Sequence, residues 1–121
     1  MRIVLATGDT DLRLSIELML IEEPGVKILG GASDTDGFLA LVESTSPDLT
    51  LLDWDLPGRP VEEVLSQIKL FEVQPKVIVL GRHPGLKKAV LLAGADAYVD
   101  QGDPPENLLA VCNDLNSILI S

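Results

Sequence analysis

The chain has 121 residues, a formal net charge of −10 and a pI near 4.3. That is about one domain, and it is too acidic for direct nucleic-acid binding, because phosphate neutralisation takes clustered Lys and Arg. Hydrophobic residues make up 46% and mean hydropathy is +0.30, yet no apolar run reaches the ~18 residues of a membrane span.

Residues 2–6, RIVLA, read as a first strand. The chain enters it almost at once, so no signal peptide is expected and a cytoplasmic location is. Thr7-Gly8-Asp9-Thr10 is a tight turn in which Asp9 or Thr10 can cap a helix. Leu12, Ile16, Met19 and Leu20 recur at helical spacing, which predicts a helix over 11–22. Glu23-Pro24-Gly25 stops it. Val26 to Gly31 is a second strand, Ser33 to Asp36 a polar turn with capping residues, and Gly37 to Ser44 a second helix.

Pro47 then breaks the chain before the third strand, 48–53. Leu49, Leu51 and Leu52 make it apolar on both faces, the pattern of a central strand covered by helices on each side. Asp53 ends that run, and Pro57-Gly58 turns the chain away. Val61, Val64, Leu65, Ile68 and Phe71 mark a third helix, with Pro60 at its first turn. Lys76 to Leu80 is the fourth strand, and Leu86 to Ala93 a short fourth helix ended by Gly94. Ala97-Tyr98-Val99 is the fifth strand. Pro104-Pro105-Glu106 opens a last helix through about Leu119, on which Cys112 is expected to pack rather than react. A lone cysteine also excludes an internal disulfide and fits a reducing compartment.

Strands alternating with helices give right-handed βαβ units and a parallel sheet. Five of each predict one α/β domain over 1–121, with a flavodoxin-like doubly wound sheet in the order 2-1-3-4-5 and helices on both faces. In such sheets ligands and chemistry sit at the carboxyl ends of the strands. Asp53 is therefore the first candidate site residue.

Two stretches, Pro47-Asp48-Leu49 through Leu56-Pro57-Gly58 and Gly94-Ala95-Asp96-Ala97-Tyr98-Val99, resemble the receiver domain of two-component response regulators. The likeness extends over the whole chain. It implies a signalling role, not an enzyme, with a phosphoryl group passed from a partner histidine to an acceptor aspartate. It also implies an acidic pair that holds Mg²⁺ with the acceptor, a Ser or Thr after the fourth strand and a Lys after the fifth. Such helpers make chemical sense, since a carboxylate attacking phosphorus faces heavy negative charge.

Asp53 matches the acceptor. The acidic-pair positions fall on Thr7 and Gly8, the hydroxyl position on Gly81 and the lysine position on Gln101, none of them the expected type. Tyr98 matches an aromatic that the family uses as a switch. Asp9 and Asp55 are the neighbouring carboxylates that can contribute metal or charge, and capping or solvation explains them as well. Mg²⁺ binds weakly where carboxylates are few, so no cofactor is expected. The chain then reads as an atypical receiver, a pseudo-receiver acting by protein–protein interaction.

Arg59 and Arg82, in loops flanking Asp53, are candidate substitutes for the missing cation through Asp53 or Asp55. His83 is a lone loop histidine, the doublet Lys87-Lys88 a solvated face, and Trp54 either a partner anchor or a cover for the third helix. The expected docking face is helix four, strand five and helix five, with Leu86, Lys87, Val90, Tyr98, Leu108 and the tail Ile118-Leu119-Ile120. It would meet a signalling partner, an effector domain or a second copy. One alternative is a phosphorylatable receiver using Mg²⁺ and Asp53. A remoter one is a flavodoxin-like FMN protein, with Leu5 to Thr10 as phosphate loop and Trp54 stacked on the flavin.

Overall fold

The structure, a computed structural model, describes the backbone of residues 1–120 and the side chains of residues 1–115. The elements alternate: β1 (Arg2–Ala6), α1 (Thr10–Ile21), β2 (Lys27–Ala32), α2 (Thr35–Thr45), β3 (Leu49–Asp53), α3 (Val61–Ile68), β4 (Lys76–Gly81), α4 (Lys87–Leu92), β5 (Ala97–Asp100) and α5 (Pro105–Ile120). All strand pairs are parallel, in the order β2-β1-β3-β4-β5, as the alternation predicts. Boundaries move by a residue or two. Phe71 falls in a turn beyond α3, and a 3-10 turn at Pro84–Leu86 leads into α4.

The period of two along each strand splits the core between the faces. Ile3 and Leu5 of β1, Leu49 and Leu51 of β3, and Ile78 and Leu80 of β4 pack against α1 and α5. Val4, Ala6, Leu52, Val77 and Val79 face the other way, toward α2, α3 and α4. All five residues of β3 are buried. A strand shielded on both faces has no polar side, which is why its sequence is apolar up to Asp53 except for Thr50, whose hydroxyl lies 3.4 Å from Lys76 O. Cys112 packs into the α1/α5 layer, and burial pushes its thiol up to about 12, so it is inert at neutral pH.

Caps set where the helices begin. Asp9 accepts from Leu12 N at 3.1 Å at the head of α1, and Asp34 accepts from Gly37 N at 2.7 Å at the head of α2. The loop after β3 is tied down by Thr35 at the start of α2. Thr35 N donates to Pro57 O and Arg59 N donates to Thr35 Oγ1, each at 2.9 Å. Between them Gly58 has φ +119°, and a Cβ there would run into the Thr35 hydroxyl. Gly58→Ala should therefore lower stability by about 2–3 kcal/mol. Urea unfolding monitored through Trp54 checks this, with a lower midpoint and an unchanged slope expected.

Candidate functional site at the carboxyl end of the sheet

The pairing of Leu5 with Leu51 and of Ala6 with Leu52 brings Thr7 beside Asp53 as the two strands end together. Asp53 is 3% exposed and Thr7 2%. Thr7 Oγ1 donates to Asp53 Oδ2 at 2.7 Å and accepts from Asp9 N at 3.0 Å. Asp55 N donates to Asp53 Oδ1 at 2.9 Å, and Gln101 Nε2 makes a longer contact to the same oxygen at 3.5 Å. Neutral donors thus meet both oxygens of this buried carboxylate. Hydrogen bonds to a charged acceptor are about twice as strong as neutral ones, which offsets part of the cost of taking the charge out of water.

Gly8 adds nothing to the pocket, and a Cβ at this position would meet Pro57 Cδ at 3.2 Å. Asp9 uses one oxygen to cap α1 and offers the other to Arg82 Nη2 at 3.8 Å. Arg82 Nε also lies 4.0 Å from Asp55 Oδ2. Arg82 therefore spans the mouth of the pocket between two carboxylates. Its side chain is 59% exposed and Asp55 is 61% exposed, so each link is weak, at ~0–1 kcal/mol. Arg59 does not join it. Its guanidinium turns to Asp36 and Glu63, both at 3.6 Å, because a carboxylate one helical turn ahead is the nearer partner. Among the described residues, no three His, Cys, Asp or Glu side chains are grouped to hold a metal ion.

On the α4 face, Gly81 and Tyr98 share one space. A Cβ on Gly81 would stand 2.5 Å from the Tyr98 oxygen and 2.6 Å from its Cε2. The ring occupies the volume that a side chain at position 81 would need. Tyr98 Oη then donates to the His83 carbonyl at 2.7 Å, which anchors the ring against the loop after β4. Burial pushes the phenol above its ordinary value, and Asp100, Asp103 and Asp55 push it the same way.

The expected docking face needs correction at two positions. Val90 is fully buried as the residue that seats α4, and Leu108 is buried with Cys112 and Leu115 where α5 meets the sheet. Lys87 is exposed and Leu86 and Tyr98 are half-buried, while the exposed large apolar residues of α4 are Leu91 and Leu92. The side chains of Ile118, Leu119 and Ile120 lie outside the described residues. Trp54 is half-buried, packs against the α2/α3/α4 layer and donates its backbone N–H to Leu80 O at 2.8 Å.

Two features escaped the sequence reading. One is a second apolar stripe on α1, where Leu14, Leu18 and Ile21 are exposed at 54%, 60% and 73%; their spacing of four and three residues was the available signal. The other is a cavity between α1 and α5, which no local pattern announces.

The profile of the response regulator receiver domain matches residues 3–113. This chain belongs to that family. Over 100 residues it is 30% identical to the nitrate/nitrite response regulator protein NarL of Escherichia coli K12, covering 81% of this chain and 46% of that protein. It is 34% identical over 98 residues to the transcriptional regulatory protein AfsQ1 of Streptomyces coelicolor, covering 80% and 43%. A LuxR-family DNA-binding response regulator from Staphylococcus aureus superposes with a TM-score of 0.85 at 25% identity, covering 95% of this chain and 98% of that one. The chain spans about half the length of the curated relatives it matches. Family membership removes the flavodoxin alternative. The loop after β1 agrees, since its Thr7 hydroxyl is given to a carboxylate.

The shared space at Gly81 makes a measurable prediction for this receiver domain. In Gly81→Thr the Tyr98 ring must leave, so its titration should fall toward the ordinary ~10. The sign follows from linkage. A phenol titrating higher in the folded state contributes stability below pH ~10 and loses it as pH rises through the folded value. The alkaline loss of stability should therefore shrink in the variant, read by absorbance titration of the single tyrosine alongside thermal unfolding.

Proposed function

We propose that this receiver domain signals by protein–protein contact, and that Asp53 is an acceptor position which does not take up phosphate through Mg²⁺. The observation that carries this reading is the 2.7 Å hydrogen bond from Thr7 to Asp53. A hydroxyl donor stands where the family resemblance expects a metal-binding carboxylate.

The rest of the donor set supports it. Mg²⁺ demands near-octahedral oxygen ligands at about 2.0–2.1 Å and sheds water reluctantly. Asp53 is the one carboxylate buried here, its neighbour Thr7 donates rather than ligates, and Gly8 has no side chain. Asp9 is held by the α1 cap and by Arg82. These residues do not fit the ion. An acyl phosphate would add about −1.5 to −2 charge, and Gln101 meets it with a neutral amide. Arg82 already bridges the half-buried Asp9 and the exposed Asp55. Each missing electrostatic donor costs on the order of 10²–10³ in rate, judged by comparable deletions.

On this reading the α4–β5–α5 side is the docking face, presenting Lys87, Leu91, Leu92 and the half-buried Leu86 and Tyr98. Its partner is a signalling protein, a downstream effector domain or a second copy, in the cytoplasm. The half-length match to whole regulators favours an effector domain.

Intact mass after incubation with acetyl phosphate and Mg²⁺ tests the proposal, with a conventional receiver in the same tube as the control. The control should gain one phosphoryl group and this chain none. A gain that disappears in Asp53→Asn overturns the proposal and establishes the phosphorylatable alternative.

A further inference from the structure

The cavity between α1 and α5 holds about 320 Å³, at the lower end of the ~300–1,000 Å³ typical of small-molecule sites. Its walls are apolar: Ile16 and Met19 from α1, Leu80 and Val99 from the sheet, and Leu108 from α5. It opens at the end of β5, on the carboxyl edge of the sheet where doubly wound folds place ligands. At the rim stand Ser15, Asp100, Gln101 and Asp103. Among the described residues, the two aspartates are the only charged ones that line it, and no Lys or Arg does.

We propose that this cavity binds a small apolar amine, with the hydrocarbon body between α1 and α5 and the ammonium at the Asp100–Asp103 rim. The apolar walls select the body by burial. The rim selects the charge, because a carboxylate ligand would meet two like charges on a chain of net charge −10. Asp100 Oδ1 accepts from Gly102 N at 2.8 Å. This turn bond uses one carboxylate oxygen.

Gln101 joins the cavity to the receiver pocket. It lines the rim, and its Nε2 lies 3.5 Å from Asp53 Oδ1. An ammonium that takes the Gln101 carbonyl as acceptor orients the amide and holds its NH₂ toward Asp53. Occupancy is thereby reported at Asp53 without phosphate. The binding site does not depend on the function proposed above, since the cavity and its rim are the same whether or not Asp53 accepts phosphate.

Amide NMR spectra of the folded chain, titrated with phenethylamine and separately with hydrocinnamate, test the inference. Phenethylamine should give saturable shifts at Ser15, Met19, Gln101 and Leu108, with affinity in the millimolar range. It should bind at least about fivefold more tightly than the carboxylate, the size expected of exposed charge pairs. Asp103→Asn should bring that ratio down toward one. Ser15→Trp, which fills the mouth from the exposed side of α1, should weaken binding about tenfold or more.

The absence of saturable shifts, shifts centred elsewhere, or equal binding of the two probes would each overturn the site. So would unchanged binding in a folded Ser15→Trp chain. If that variant does not fold, the wild-type probe comparison and Asp103→Asn still decide. The Asp55 amide, bonded to Asp53, should move with the same saturation curve. If it stays still while the rim shifts, the link to Asp53 is wrong.

Discussion

Thr7 donating its hydroxyl to Asp53 is the contact around which the top of the sheet is built. A buried carboxylate is costly unless donors surround it, and β1 and β3 end in register, which leaves Thr7 adjacent to it. The same hydroxyl oxygen accepts from Asp9 N, so one side chain fixes the acidic residue and the turn into α1 together. Asp55 N closes the other side at 2.9 Å. The pocket is thus satisfied by neutral groups belonging to the chain itself. A divalent ion in that place would have to displace a donor, and the lost hydrogen bond would leave a buried polar group to be satisfied again.

The glycines beside the pocket are tied to the packing around them. With no side chain at position 81, the Tyr98 ring fills the space beside β4, with its hydroxyl on the His83 carbonyl. A hydroxyl residue at 81 and an inward Tyr98 compete for one volume. The glycine therefore sets the ring position by sterics alone, and the hydrogen bond fixes its direction. Similarly, a side chain at Gly8 would press on Pro57, in the loop that Thr35 ties to α2. A side chain placed at either glycine therefore disturbs packing that uses the space.

The fold was legible because burial on both faces leaves a direct mark. β3 is leucine-rich on both faces, and the alternation of strands with helices pointed to a doubly wound parallel sheet. Asp53 was legible for the same reason, as the polar end of an apolar run. What was hidden depends on long-range geometry. Thr7 and Asp53 are 46 residues apart, and no spacing rule says that a turn threonine reaches a particular carboxylate. Arg59 misled because loop proximity to Asp53 was weighed without the local competitor Glu63. Val90 and Leu108 were expected at the surface because docking faces and core stripes use the same residue types. Only the helix rotation, fixed by packing, separates them. The α1/α5 cavity is a gap between side chains from four elements, and sequence has no local record of it.

A pocket satisfied in this way constrains how the domain can carry information. A conformational equilibrium moves only if something binds its two states with different free energy. In the phosphorylated members of such a family the added charge supplies that difference. Here the buried carboxylate is already compensated, and Arg82 is engaged outside it, at 3.8 Å from the half-buried Asp9 and 4.0 Å from the exposed Asp55. On the function proposed above, the difference has to come from contacts beyond Asp53. The exposed stripe of α1, the Leu91–Leu92 edge of α4 and the α1/α5 cavity are where such contacts are available. Of these, the cavity alone shares a residue, Gln101, with the Asp53 pocket. An input arriving there reaches Asp53 through one side chain, whereas an input at either helix face must act through packing of the core.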